Sequence, residues 1–542
     1  MPIYQVKEFS GGLSDYENRG IRGAFKFGTN LDIRKKADSL SAGQAYVDEG
    51  LHSSRSPSAS VSPSSSSSPS SSASATASPS ASVSPSSSAS HSPSPSTGIS
   101  DSPSRSPSAS ASPSASVSIS SSVSPSPSPS AGLATVFEDL IRFFVKATDG
   151  YVYGFGSTGV IYRRNSDAYW ARVYKDPDGA IKGAIEKPSD SGKTYLEWCT
   201  DTKLKRKELP GNLSWNDVST VSTNLSSQDW HTMVQINGAG IIANGENLAL
   251  VGYDDSFTNE ALNLIPGNIA KTLVERSGRA VVGTYRASDP NKGINGAIDA
   301  EVPLAQVGNS GELYYANMLD STPVKTFPGG GKVNPGGVCN SVDQVNFFEW
   351  EDTALSWIDK QTVGNMALFA VYGADSGKGG IYSYGRKNKN HPMTMNLDYQ
   401  FDATELGAIT SVDGTILVSY RSGSDFGVKA SDSTTKATAT YEGLEFSSPI
   451  KTVDEITSWN IAEIYCEPLP AGCSIQFWYK LDKSTSFTQA TMADDSTSFS
   501  STGETKAVFQ IGAKGDIFEP KVVLVPSANL TPEVHRIVTY FN

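Results

Sequence analysis

The chain has 542 residues and a formal net charge of -12, with 37% hydrophobic and 18% charged residues. At about 150 residues per domain, that length allows three or four domains. No apolar run reaches the roughly 18 residues of a membrane-spanning helix, the first residues lack the basic-then-apolar profile of a secretory leader, and the acidic balance argues against a dominant nucleic-acid surface.

Residues 1–52 read as a polar arm punctuated by Gly and Asn. Ala24-Phe-Lys-Phe and Leu31-Asp-Ile alternate like short strands, and Ser39 to Tyr46 suggests one or two helical turns. The arm is too small to fold alone, so it must pack on the body or on a neighbouring subunit.

Residues 53–133 form a different polymer. From Ser53 to Ser130 there are 78 residues, of which 43 are Ser and 13 are Pro, and every even position is Ser except Thr76 and Gly98. Pro removes backbone donors, and little apolar surface is present to offset ordering entropy. The segment is expected to be a disordered, partly polyproline-II tether spanning about 50 Å. It serves as a displayed or modified stalk, or is a tolerated repeat expansion.

From residue 134 to 436 the pattern becomes short strands with Gly turns. Val136 to Val145 is the one helix candidate. Hairpins are expected at Gly150–Arg163 and, around Asp413-Gly414, at Ala408–Tyr420, with similar turns at Asn237-Gly238, Asn244-Gly245, Ser277-Gly278, Ser310-Gly311 and Ser376-Gly377. At about 40–50 residues per four-stranded unit, this predicts an all-β fold: a β-propeller of six or seven blades, with stacked β-sandwiches as the alternative. Residues 437–542 predict a C-terminal β-sandwich, with strands at Ile456–Ile464, Cys473–Leu481, Lys506–Ile511, Lys521–Val525 and Val534–Tyr540.

The chemical motifs are weak. Gly154-Phe-Gly-Ser-Thr-Gly159 matches a dinucleotide fingerprint but is followed by a strand, so it reads as a hairpin turn. Gly192-Lys-Thr and Gly373-Ala-Asp-Ser-Gly-Lys lack P-loop spacing. Asp176-Pro-Asp-Gly179 begins like a calcium loop without the later ligands, as does Asp289-Pro-Asn-Lys-Gly. His52, His91, His231, His391 and His535 form no HExxH pair, and no GxSxG elbow exists. Glu349, Glu351 and Asp352 are the carboxylates to consider for glycoside hydrolysis. Arg34-Lys35-Lys36 and Lys203-Lys205-Arg206-Lys207 read as solvated basic faces, open to an acidic partner. Cys199, Cys339, Cys466 and Cys473 contain no CxxC pair and are expected to be free thiols, although Cys466 and Cys473 flank a turn that a disulfide could close. No catalytic residue, cofactor site or metal site is expected.

Phe25-Lys-Phe-Gly-Thr-Asn-Leu-Asp-Ile-Arg-Lys-Lys, Asp201-Thr-Lys-Leu-Lys-Arg-Lys-Glu-Leu-Pro-Gly, Ala243-Asn-Gly-Glu-Asn-Leu-Ala-Leu-Val-Gly-Tyr and Glu467-Pro-Leu-Pro-Ala-Gly resemble segments of tailed-bacteriophage virion structural proteins. The resemblance implies a non-enzymatic tail or head–tail component, made in the host cytoplasm and located in the virion. It implies homo-oligomers and contacts with other virion proteins, with residues 1–52 as an assembly arm. A second reading is recognition of host-surface glycans, with Tyr151, Tyr153 and Trp170 stacking on sugars. A third is a propeller glycosidase or a stalked adhesin.

Overall fold

The computed structural model describes residues 3–7, 12–13, 24–32, 39–52, 137–210, 214–276, 279–288, 296–301, 314–319, 327–340, 366–385, 394–447, 456–482 and 484–542. The chain divides into two units, Arg55–Gly132 and the remainder, and the smaller lies wholly outside the described residues. The larger unit is all-β, and its described residues contain no α-helix.

Six sheets built on antiparallel hairpins follow one another among the described residues, five of them four-stranded and the first five-stranded through an added parallel strand. Blade 1 begins with Ile141–Lys146, blade 2 with Gly183–Pro188 and blade 3 with Met233–Ile236. Blades 4, 5 and 6 begin with Asn268–Arg276, Lys332–Asn340 and Glu405–Val412. These first strands lie side by side from blade 4 through 3 and 2 to 1, and again from blade 1 to 6 and from 6 to 5. That is the inner ring of a propeller. Tight turns close the blade hairpins. Asn237-Gly238 (φ 51° and 85°) and Asp413-Gly414 (φ 49° and 79°) hold both central residues left-handed, as the twist of a two-residue hairpin requires.

Within the helix expected at Val136–Val145, Phe137 makes an isolated bridge to Phe426, and Ile141–Lys146 is instead blade 1's first strand. Ile141, Phe143 and Val145 are buried in alternation, so a period of two governs the segment. The helical turns expected at Ser39–Tyr46 are also absent. Leu40 and Ala42 make isolated bridges to Val534 and Leu31, and Gln44–Asp48 is a strand.

The sandwich core joins two sheets. One orders Ile3–Val6, Val534–Phe541, Ser458–Cys466 and Lys506–Lys514; the other runs from Thr488–Gln489 through Ser474–Leu481, Ile517–Val525 and Ala439–Glu442 to Phe27–Thr29. The expected C-terminal strands are all present within a few residues of their predicted bounds. Trp459, Ile464, Phe477, Phe509, Val522 and Leu524 fill the space between the sheets.

The arm packs on its own body. Ile3–Val6 and Phe27–Thr29 are edge strands of the two sandwich sheets, Gln44–Asp48 is the outer strand of blade 6, and Leu51–His52 pairs in parallel with the outer strand of blade 1. Between these points the arm lies between blade 5 and the sandwich. Asn30 N–H donates to the Leu397 carbonyl at 3.1 Å, Asn396 Nδ2 donates to the Leu31 carbonyl at 2.9 Å, and Phe25, Leu31 and Leu40 enter one core with Tyr382, Leu397 and Trp459.

Candidate functional site

Blade 2 gathers charge from two of the sequence motifs. Asp176, fully buried, accepts from Trp198 Nε1 at 2.7 Å, Lys205 Nζ at 2.6 Å and the Asp178 N–H at 2.8 Å. Asp178 pairs with Lys203 at 2.6 Å and also with Lys205. Hydrogen bonds from Lys203 and then Lys205 hold its carboxyl below the usual range. Lys207 is buried too, 2.6 Å from Asp217. The Asp176-Pro-Asp-Gly turn therefore holds lysine ammonium groups where a calcium loop would hold its ion. Lys205 and Lys207 are correspondingly no solvated basic face. They neutralise acids of their own chain, so the expected open face at this run is corrected.

The glycine motifs are turns. Gly154–Gly159 spans the hairpin between Val152–Gly156 and Val160–Arg164, with Ser157 Oγ and the Thr158 N–H donating to Asp139. Gly192-Lys-Thr lies at the turn between the first two strands of blade 2, and Gly377-Lys378 at a turn of blade 5. His231 is fully buried at the entry to blade 3, with Nδ1 2.8 Å from the Ala243 carbonyl and Nε2 2.9 Å from the Asp201 carbonyl. Burial lowers its pKa more than these two acceptors raise it. The histidine ties blade 2 to blade 3. His535 lies on the sandwich, 3.6 Å from Glu467. All four cysteines are free thiols. Glu349, Glu351, Asp352, His91, His391, Arg34, Lys35, Lys36 and the Asp289 loop lie outside the described residues.

The aromatic side chains proposed for sugar stacking are spent internally. Trp170 is fully buried; its Nε1 donates at 2.7 Å to Glu49 of the arm, which also takes a bidentate pair from Arg164. Tyr153 is buried and donates to Asp149 at 2.8 Å. Tyr151 lies under the Arg163 guanidinium, 4.5 Å from its ring centre. A buried Trp170 cannot present its face to a glycan, so its proposed stacking role is corrected to a core role. Its indole instead fastens the arm.

The inner ring holds a cluster that sequence reasoning missed. Arg142, on the first strand of blade 1, lies over Trp230 at 4.7 Å, and its buried Nε meets no hydrogen-bond acceptor. Burial lowers its pKa, opposed by Glu405, Asp139 and Asp229. In the adjoining blades, Asn334 Nδ2 donates to Glu405 Oε1 at 3.1 Å and to the Leu406 carbonyl at 2.8 Å, and Tyr372 donates to Asn334 Oδ1 at 3.2 Å. Beside Trp230 opens a cleft of about 30 Å³, lined by Gln228, Asp229, Trp230, Ala270, Lys271 and Tyr285. The one available signal was a charge inside the apolar run Leu140-Ile-Arg-Phe-Phe-Val. Among the described residues, no group of three or more His, Cys, Asp or Glu side chains could hold a metal ion. The cluster brings together a cation, an aromatic ring and amide and carboxylate groups, and the adjoining cleft is large enough for water molecules only.

No protein-family model and no curated protein matches the chain. Solved structures similar in strand arrangement include virginiamycin B lyase from Staphylococcus aureus, at 12% identity and TM-score 0.31 over 54% of this chain and 80% of that one. An auxiliary nutrient binding protein from Bacteroides ovatus aligns at 9% identity and TM-score 0.34, over 55% of this chain and 70% of that one. Exo-β-1,3-galactanase from Phanerochaete chrysosporium aligns at 8% identity and TM-score 0.27, over 75% and 97%. At such values the fold rests on this chain's own sheet order.

Proposed function

We propose that the chain is a non-enzymatic structural protein of a bacteriophage virion, a tail or head–tail component in which propeller and sandwich act as one rigid spacer. The virion class comes from the sequence resemblance. The observation that supports a spacer role is the path of the arm, whose strands join both sandwich sheets and blades 6 and 1. Two β modules stitched by one segment make a stiff body, and the 78-residue Ser/Pro tract follows the arm in the chain. Within this reading the body forms homo-oligomers and contacts other virion proteins, and the arm assists assembly by bracing the surfaces that meet. Quantitative mass spectrometry of density-purified particles tests it. A copy number in whole multiples of three or six is expected, and absence from particles overturns it.

A further inference from the structure

Blade 2 carries a buried carboxyl group that none of the interactions above employs. Glu197 lies across from Ile185 on one neighbouring strand and Arg206 on the other, so these three side chains share a face. That face packs on blade 3 at Gly240. A side chain there would begin 3.0 Å from Ile185 Cδ1, 3.5 Å from Lys187 Cδ and 3.6 Å from Glu197 Oε2. Glu197 is fully buried, and neither of its carboxylate oxygens accepts a hydrogen bond.

Two cations stand in the same seam, and both face a different acid. Lys187, itself fully buried, donates from Nζ to Asp255 Oδ1 at 2.9 Å and to the Pro188 carbonyl at 3.1 Å. Arg206 Nη1 lies 3.2 Å from the same Asp255 oxygen, an ion pair without hydrogen-bond geometry, and its guanidinium is 4.4 Å from the Tyr195 ring centre. Ser189 Oγ donates to Asp255 Oδ2 at 2.8 Å. Asp255 belongs to blade 3, in the turn after Asn247–Val251, so it receives blade 2's cations across the seam.

We propose that Glu197 is a proton-operated switch in the seam between blades 2 and 3: protonated, it leaves Lys187 and Arg206 to Asp255; ionised, it competes for them and loosens the seam. An ionised carboxylate without donors is costly inside a protein, and the nearest relief is the pair of cations already committed to Asp255. The two acids are driven apart. Burial raises Glu197 to about 7, Asp255 adds to the rise, and Lys187 and Arg206 oppose it. Burial also raises Asp255, but Lys187, Ser189 and Arg206 outweigh it and hold that carboxyl below its usual range. Cys199, on the same strand, is a buried thiol pushed well up and stays neutral. The sign follows. The folded chain keeps a proton that the unfolded chain releases, so the seam is firmest below the ordinary carboxylate range and weakens as pH rises through about 7.

The test uses the full chain and Glu197→Gln. Infrared difference spectra between about pH 5 and about pH 9 should contain a protonated-carboxyl band that disappears near neutrality, and this band should be absent from the variant. Hydrogen exchange over Gly183–Pro188 and Ala239–Asn244, corrected for intrinsic rates, should lose protection several-fold at the higher pH in the wild type and keep it in the variant. If Glu197→Gln does not fold, Glu197→Met, of similar volume, supplies the same readouts. A wild type with no such band, or a folded variant that loses protection as the wild type does, overturns the switch.

Discussion

Blade 2 and the sandwich are built from the same antiparallel hairpins, yet they fill their interiors with different chemistry. In the sandwich, Trp459 stacks on Phe518 at 4.3 Å and leans on Phe541 at 4.8 Å, within a core of Ile464, Phe477, Val522 and Leu524. In blade 2, Lys187, Lys205, Lys207 and Glu197 are buried, as is Asp176 in the turn that leads into it. Apolar burial stabilises in proportion to area and is indifferent to direction. Buried ion pairs contribute little net stability, because desolvation offsets attraction, but losing one partner is severe. The comparison separates a region held by bulk from a region held by pairing.

The comparison is sharpened first in the sandwich. Trp459→Ala should cost about 3–5 kcal/mol, read as a lowered denaturant midpoint. Because Phe25 and Leu31 share that core, limited proteolysis should also reach the arm. Asp176→Ala should cost about 2–3 kcal/mol, since it leaves the Trp198 indole N–H without its acceptor and the buried Lys205 ammonium with Asp178 in place of two carboxylates. Asp176→Ala combined with Lys205→Met should recover much of that loss. If the double variant is no better than the single, blade 2 is not held by pairing. Glu49→Ala should cost about 2 kcal/mol, because Arg164 stays part-exposed and partly resolvates. The expected readout is faster exchange in Gln44–Asp48, with the sandwich unaffected. Lys193→Ala, which breaks an exposed pair with Glu208, should leave the melting midpoint unchanged.

Much of the fold was legible in the sequence for a local reason. Turn chemistry at Asn237-Gly238 and Asp413-Gly414 demands left-handed backbone, and alternation along Cys473–Leu481 and Lys506–Ile511 selects one buried face. Failures came where local signals compete. Val136–Val145 satisfies a helical spacing as well as a strand period, and only packing against neighbouring first strands decides between them. Ser39–Tyr46 has little pattern of its own and is extended because Val534, Leu31 and the outer strand of blade 6 offer it partners.

The candidate site was less legible. Lys203 to Lys207 looks like a solvated run because sequence cannot reveal that Asp176, Asp178 and Asp217 meet it across hairpins. Arg142 and Trp230 stand far apart in the chain and meet only where blade 1 approaches the entry to blade 3.

The sequence by itself determined the all-β class, the boundary of the Ser/Pro tract and the existence of two β modules, because composition, turn residues and period-two burial act over a few neighbouring positions. Tertiary structure alone decided that the arm stitches its own body, that the charges of blade 2 cancel internally, and that Glu197 is sealed without a partner. Those outcomes depend on which distant strands share a face and exclude water, a property that no local segment carries.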